Sequence, residues 1–586
     1  MNKTGLGSES ARSLAVTLVL TLMAGQGQAQ GGDPLDDIVL LPFIPSAVRV
    51  AMPIPAKVLI YNPLEGEGPI HLERLEVRVG RDMIGELFLD EDLAGGREYG
   101  VFQALLERLP REVTERQREK RYFAADTDVE FVGLEVFEKQ AELRRRVAAY
   151  RESLEAGQAQ TFIEREVIVP LDQVFPPAEV PGAQATLRFI LFYQTADGGP
   201  ATASAEQTLT WLGPAASLPD GLTSLGSNSS VHFGDMHVHS CYGEALNACG
   251  DGNCYAESLQ LSGSFTYTQL KHQYQSLGMD WFTATDHSYC VNSAAEYAMI
   301  VSDCQSVTNS AFICIPDLEL SSDEAGTQTG SDGADGFCAW LTEANHMGAH
   351  GITSRIEGGD DHLLGFCDTL LTDALADFRT NIAEIRSQGG YPVAHHPTAD
   401  HYSWNSYDEA LGIESNALHG VEIWNTKVDG SLSGQGAAVG RWVDWLLDGR
   451  ILYAYAGSDT HDEASSSLVV GFNAAVLNGV PFTPDNLEGS LRAGQVYVSN
   501  GPALLLEVDL GNETLFMGSR RLVSAGTPPT ALTLRVAYDF NGAAAGTVTL
   551  FGGRAGDSSE TVLGHYTGLV GSGVLSLPTS LVTDRL

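Results

Sequence analysis

The residues best suited to chemistry are histidines and carboxylates that recur in short clusters between positions 237 and 461. The first is Gly234-Asp235-Met236-His237-Val238-His239, preceded by Val231-His232-Phe233. Alternate residues of a strand point to the same side, so His237 and His239 can offer both imidazoles to one cation. Such a pair alone is a weak signal, because two unrelated surface histidines give the same pattern. Its company strengthens it: Asp286-His287, Glu319 after Cys314-Ile315-Pro316-Asp317-Leu318, His346, His396 before Pro397, and Asp459-Thr460-His461. Imidazole nitrogen and carboxylate oxygen suit zinc, manganese or iron, and a carboxylate can bridge two ions in one site. Asn345-His346-Met347-Gly348-Ala349-His350 offers two candidates, His346 and His350. His395 and His396 are adjacent, and neighbouring strand residues face opposite sides, so one of the two is expected in the site. A residue before proline is held extended, which favours His396.

The elements that must position these groups repeat. Leu270, Tyr274 and Leu277 precede Gly278, then Trp281-Phe282-Thr283-Ala284, then Thr285-Asp286-His287. Phe378, Ile382 and Ile385 precede Gly389, then Tyr391-Pro392-Val393-Ala394, then His395-His396-Pro397. Trp442, Trp445 and Leu446 precede Gly449, then Ile451-Leu452-Tyr453-Ala454-Tyr455, then Gly457-Ser458-Asp459-Thr460-His461. An amphipathic helix, a glycine cap and a short apolar strand form one αβ unit. Three such units predict a parallel β/α barrel with its site at the carboxyl ends of the strands.

Around this middle region the chain changes character. Lys3 and Arg12, the apolar run Leu14–Ala24 and the small residues Gly27 and Ala29 read as a secretory signal peptide over 1–29, which places the mature protein outside the cell or in a periplasm. No further run of about 18 apolar residues follows, so the mature chain is expected to have no membrane span. Residues 30–217 read as a β-rich, sandwich-like accessory domain, with strands at Ala56–Tyr61 and Leu187–Tyr193 and an inserted pair of charged helices within Glu112–Ala156. A Gly/Ser/Asn-rich linker covers 218–230, the metal-binding domain 231–505, and a small β domain 506–586. The net charge of −41 makes nucleic acid a poor partner. All eight cysteines lie between Cys241 and Cys367, and export makes disulfides their expected state; a zinc site at Cys249 and Cys254 is disfavoured because no second pair sits at matching spacing. His71, His272, His362, His401, His419 and His565 read as surface or packing residues, His232 as structural, and Ser331–Gly336 as a flexible acidic insertion.

The ligand clusters resemble the PHP family, the polymerase and histidinol phosphatase superfamily of metal-dependent phosphoesterases, over most of 231–505. Leu491–Pro502 and Val421-Glu422-Ile423-Trp424-Asn425 are similar to the exported, carbamate-hydrolase-like branch. The resemblance implies a distorted TIM-like (β/α)7 barrel holding two or three divalent ions. His237, His239, Glu319 and Asp459 would surround one metal, and Glu319, His346 and His396 a second, with Glu319 as the bridge. It also favours His346 over His350. A third ion would use His287 and His461 with Glu244, which stands where many relatives have His or Asp.

A hydrolase follows as the expected activity. Hydroxide generated on the cations would attack a small-molecule phosphate ester, with Asp459 and Glu319 fixing the ions and His461 or His287 assisting proton transfer. The alternative is that the same centre cleaves a carbamate, carboxylic ester or amide instead. A reading of another class is a secreted binding protein that keeps metals structurally. No Gly-x-Ser-x-Gly elbow and no phosphate-binding loop ending in Lys-Ser or Lys-Thr is present, which excludes serine hydrolases and nucleoside triphosphatases of those types.

Overall fold

The structure is a computed structural model that describes residues 37–64, 66, 68–96, 160–176, 179–242, 244–245, 248–249, 265–288, 291, 293–322, 345–358, 378–398, 404, 417–425, 432–460, 471–521, 532–542 and 545–579. The expected signal peptide and the charged helix pair lie outside these residues. Eight strands come first: β1 (Val39–Phe43), β2 (Ala47–Val48), β3 (Pro53–Tyr61), β4 (Ile70–Val79), β5 (Asp82–Leu93), β6 (Phe162–Pro170), β7 (Gln184–Gln194) and β8 (Pro200–Trp211). They form two sheets, β1-β3-β6 and β2-β8-β7-β4-β5. In β7, Leu187, Phe189, Leu191 and Tyr193 are buried while the residues between them are more exposed, the period of two that turns one face inward. These side chains share a single core with Val58 and Ile60 of β3 and Leu72, Leu75 and Val77 of β4, so both sheets close over the same apolar layer.

The middle region carries β9 (Ser230–Val238), β10 (Glu244–Ala245), β11 (Ala248–Cys249), α1 (Tyr267–Ser276), β12 (Trp281–Ala284), α2 (Ala294–Val307), β13 (Ile313–Pro316), β14 (Leu318–Ser322), β15 (Asn345–His350), α3 (Phe378–Ser387), β16 (Tyr391–Ala394), β17 (Gly420–Asn425), α4 (Leu432–Leu447), β18 (Tyr453–Gly457), β19 (Phe472–Leu477), α5 (Pro484–Arg492) and β20 (Val496–Ser499). α1 starts on a capping box in which the Thr266 hydroxyl accepts from Gln269 N and the Gln269 side chain accepts from Thr266 N. It buries Leu270 and Tyr274, one turn apart, and is followed by Gly278 at φ +75°. α3 and α4 are followed in the same way by Gly389 (φ +83°) and Gly449 (φ +90°), a left-handed conformation that glycine adopts without a Cβ penalty. A short, largely buried strand follows each.

Two five-stranded sheets result, β13-β12-β9-β19-β20 and β14-β15-β16-β17-β18. β9, β12 and β13 run parallel, as do β16, β17 and β18. β15 is antiparallel to both β14 and β16, and β19 is antiparallel to both β9 and β20. Two single parallel bridges, Val238↔Thr460 and His287↔Glu319, tie one sheet to the other. Among the described residues no continuous ladder closes these strands into the parallel barrel expected from the repeated units; the architecture is mixed α/β with mostly strands. The units report only strands entered from a helix and glycine. β15 and β19 are not announced in that way, so the sequence pattern missed their direction.

β21 (Ala503–Asp509), β22 (Thr514–Phe516), β23 (Leu532–Asp539) and β26 (Ser572–Thr579) form the C-terminal sheet β22-β21-β23-β26, with β24 (Gly546–Gly552) and β25 (Thr561–Leu569) as a separate hairpin. This sheet therefore starts at Ala503, slightly ahead of the boundary expected at 506. The segment expected as a linker is packed: Leu222 joins Leu505, Phe516 and Ala537 in a core, and buried Glu507 accepts from the Thr223 hydroxyl and Ser224 N. Cys304 and Cys314 form a disulfide between α2 and β13. No helix among the described residues is long and apolar enough to cross a membrane.

Candidate metal centre

Glu319, fully buried on β14, is the hub of the site. Its Oε1 lies 3.1 Å from His237 Nε2, 3.2 Å from His346 Nδ1, 2.9 Å from His395 Nδ1 and 3.4 Å from His396 Nε2. Its Oε2 lies 3.3 Å from His239 Nε2 and 2.9 Å from His287 Nδ1. Asp459 completes the group, with Oδ1 3.4 Å from His237 Nε2 and 3.2 Å from His239 Nε2. The ligand atoms come from the ends of several strands: β9 and the residue after it give His237 and His239, β12 leads to His287, β15 carries His346 as its second residue, β16 leads to His395 and His396, and β18 leads to Asp459.

Three sets of donors could each hold one cation: His237, His239 and Asp459; His237, Glu319 and His396; and His239, His287 and Glu319. Two ligand atoms about 2.0–2.1 Å from one cation stand about 2.9–3.4 Å apart at octahedral to tetrahedral angles. His237 Nε2 and His239 Nε2 are 3.0 Å apart, and the contacts to Glu319 and Asp459 fall in the same range. Among the described residues Glu319 Oε2 accepts no hydrogen bond, although two imidazole nitrogens lie close by. Donor atoms gathered at the spacing of ligands around one ion fit a cation-binding cluster, and the nitrogen and oxygen donors suit zinc, manganese or iron.

The charges agree with this arrangement. Burial pushes the Glu319 carboxyl up, but His237, His346 and His287 together hold it well below the usual carboxylate range. Burial pushes the His237 imidazole down, and Glu319, Asp459 and Glu422 together raise it well above its ordinary value. Without a cation, the cluster balances buried carboxylates with protonated imidazole.

Of the expected ligands, His237, His239, His287, Glu319, His346, His396 and Asp459 come together. His461 lies outside the described residues. Glu244 sits on β10, paired with Cys249 of β11, and its side chain lies outside the description. His350 turns away from Glu319, its Nδ1 2.8 Å from Asp317 Oδ2. The expectation that only one of His395 and His396 reaches the site is corrected: both approach Glu319 Oε1. β16 ends at Ala394, and His396 turns at φ +26° instead of remaining extended, so strand alternation does not govern the pair. His232 stacks on Phe482 at 3.8 Å and contacts Asp280 and Ser230, a packing role.

Three residues outside the expected ligand set shape the centre. Glu422 on β17 places Oε1 3.2 Å from His237 Nδ1, while Oε2 accepts from His396 N at 2.6 Å and Asn425 Nδ2 at 2.8 Å. One carboxylate thus fixes a side chain from β9 and a backbone turn after β16, the outer support that orients ligating histidines. Gly457 makes room for it: a Cβ there would fall 1.8 Å from Glu422 Oε1 and 2.4 Å from His237 Cβ. Asp235 braces the same strand end, accepting from His237 N, Ser458 N and the Tyr274 hydroxyl.

No family model matches the chain, and no curated protein matches it.

Proposed function

We propose that this chain is an exported, metal-dependent hydrolase of the PHP type that cleaves small phosphate esters. The observation that carries the reading is Glu319, whose two oxygens face separate sets of imidazoles inside a buried cluster. The bridges Val238↔Thr460 and His287↔Glu319 support reading the two sheets as one distorted barrel, because each joins strand ends across the centre. The Cys304–Cys314 disulfide supports export into an oxidising compartment.

In this reading His237, His239, Glu319, His346, His396 and Asp459 hold two cations, and His287 contributes to a third position. Bound divalent cations lower the pKa of water toward neutrality and polarise an electrophilic phosphorus or carbonyl. The protein's own residues do the rest. Glu422 orients His237, Asp235 fixes the backbone that carries it, and burial excludes bulk water from the carboxylates. His287, His346 and His396 retain slight exposure, at 3%, 4% and 5%, whereas His237 and Glu319 have none. In this reading His287 would take or give a proton at a ring nitrogen.

Elemental analysis of purified protein, beside a His237→Ala/Asp459→Ala variant, tests the proposal. Two or more transition-metal ions per chain, lost in the variant, together with metal-dependent turnover of phosphate esters, is the expected result. A folded wild type that holds no metal and takes up none would overturn it, and faster cleavage of carbamates or carboxylic esters than phosphate esters would reassign the substrate.

A further inference from the structure

His350 and His395 form a second arrangement beside the centre. Both imidazoles are buried, at 0% and 1% exposure. His350 Nδ1 lies 2.8 Å from Asp317 Oδ2, and His395 Nδ1 lies 2.9 Å from Glu319 Oε1. Paired with a carboxylate, each Nδ1 carries the hydrogen, and in that tautomer Nε2 keeps its lone pair. Neither Nε2 has a hydrogen-bond partner among the described residues. Both point to one place: a Cβ built on Gly348 would lie 2.3 Å from His350 Nε2 and 2.4 Å from His395 Nε2. Gly348 lies between His346 and His350 on β15, and its missing side chain is the space that the two rings enter.

Two buried acceptors facing each other repel unless a donor stands between them. A water molecule supplies two hydrogens and is the smallest neutral group that satisfies both lone pairs; buried waters in proteins commonly serve otherwise unsatisfied polar groups in this way. We propose that a single water is bound between His350 and His395 beside Gly348, and that it couples the Asp317–His350 pair through His395 to Glu319. His350 is then a positioning residue. It holds the His395 ring, which stacks on His237 at 3.7 Å between ring centres while its Nδ1 contacts Glu319. Through His395 the water then steadies two candidate metal ligands, Glu319 and His237.

The position of the water is independent of the hydrolase reading, and its effect on metal affinity rests on that reading. A crystal structure of the full chain stripped of metal with chelator tests the first part: one ordered oxygen within hydrogen-bond reach of both Nε2 atoms is expected. An empty gap, a direct N–H···N contact or a metal ion retained there would overturn it. His350→Asn tests the coupling, because its amide can still donate to Asp317 while the ring Nε2 that would hold the water is gone. Zinc affinity, measured by competition with a chromophoric chelator, is expected to fall about tenfold with the melting temperature of the metal-free protein little changed. Unchanged zinc affinity in this variant would refute the coupling. A wild type that binds no zinc would remove the hydrolase reading, and the coupling with it, while the crystal still decides the water.

Discussion

Replacing Glu422 with glutamine isolates the outer support of the centre. The carboxylate is 2% exposed, and its oxygens face His237 Nδ1 on one side and two donors, His396 N and Asn425 Nδ2, on the other. Glutamine keeps the volume but has one carbonyl and one amide. If the carbonyl serves His396 and Asn425, the amide faces His237 and forces Nδ1 to accept; the hydrogen then moves to His237 Nε2, the atom directed at Glu319 and Asp459, which loses its lone pair for a cation. If the amide is reversed, His237 keeps its tautomer but the buried His396 N–H loses its acceptor, a loss of about 1–3 kcal/mol. Either orientation weakens a ligand position, and loss of such outer support lowers metal affinity about 10–100-fold, or about 1.4–2.7 kcal/mol. Zinc competition titration of wild type and Glu422→Gln reads this directly, with melting of the metal-free proteins as the folding control. A folded variant that binds zinc within twofold of wild type would refute the assignment of Glu422 as the support of His237 and His396.

Two further perturbations probe the frame that holds the site. Burial raises the Asp235 carboxyl to about 6 from an ordinary 3.8, against the pull of its hydrogen bonds from Ser458, His237 N and Tyr274. Between those values the native state binds a proton that the unfolded chain does not, so this residue favours folding as pH falls through the window and disfavours it as pH rises toward 6 and above. Asp235→Asn retains acceptor and donor capacity without the charge; the metal-free variant is expected to gain on wild type from pH 4 to pH 7, by up to about 3 kcal/mol, and a pH-independent difference in melting temperature would contradict this. Cys304 and Cys314 close a loop of 10 residues, and removing both sulfurs as alanines should lower the stability read by urea unfolding by about 3 kcal/mol; a loss under 1 kcal/mol would show that the bridge constrains little.

What could be read in advance was whatever local geometry repeats along the chain. His237-x-His239 was legible because the strand period and the requirement for two imidazoles on one side coincide, and both Nε2 atoms meet at 3.0 Å. The glycines after α1, α3 and α4 were legible because a left-handed residue after a helix favours the residue without a Cβ. The pair His395-His396 was misread because the rule applied to it belongs to a continuing strand, and β16 stops one residue earlier. Glu422 was harder: its partner His237 lies 185 positions away, and inside Val421-Glu422-Ile423-Trp424-Asn425 the only local signal is an acid flanked by Val421 and Ile423. That signal has physical content, since a buried carboxylate must be paired, but it names no partner. Gly348 and Gly457 are silent in the same way. Each is fixed by a side chain that comes toward it from beyond its own strand, the His395 imidazole in one case and the Glu422 carboxylate in the other, so its requirement appears only once the strands are assembled.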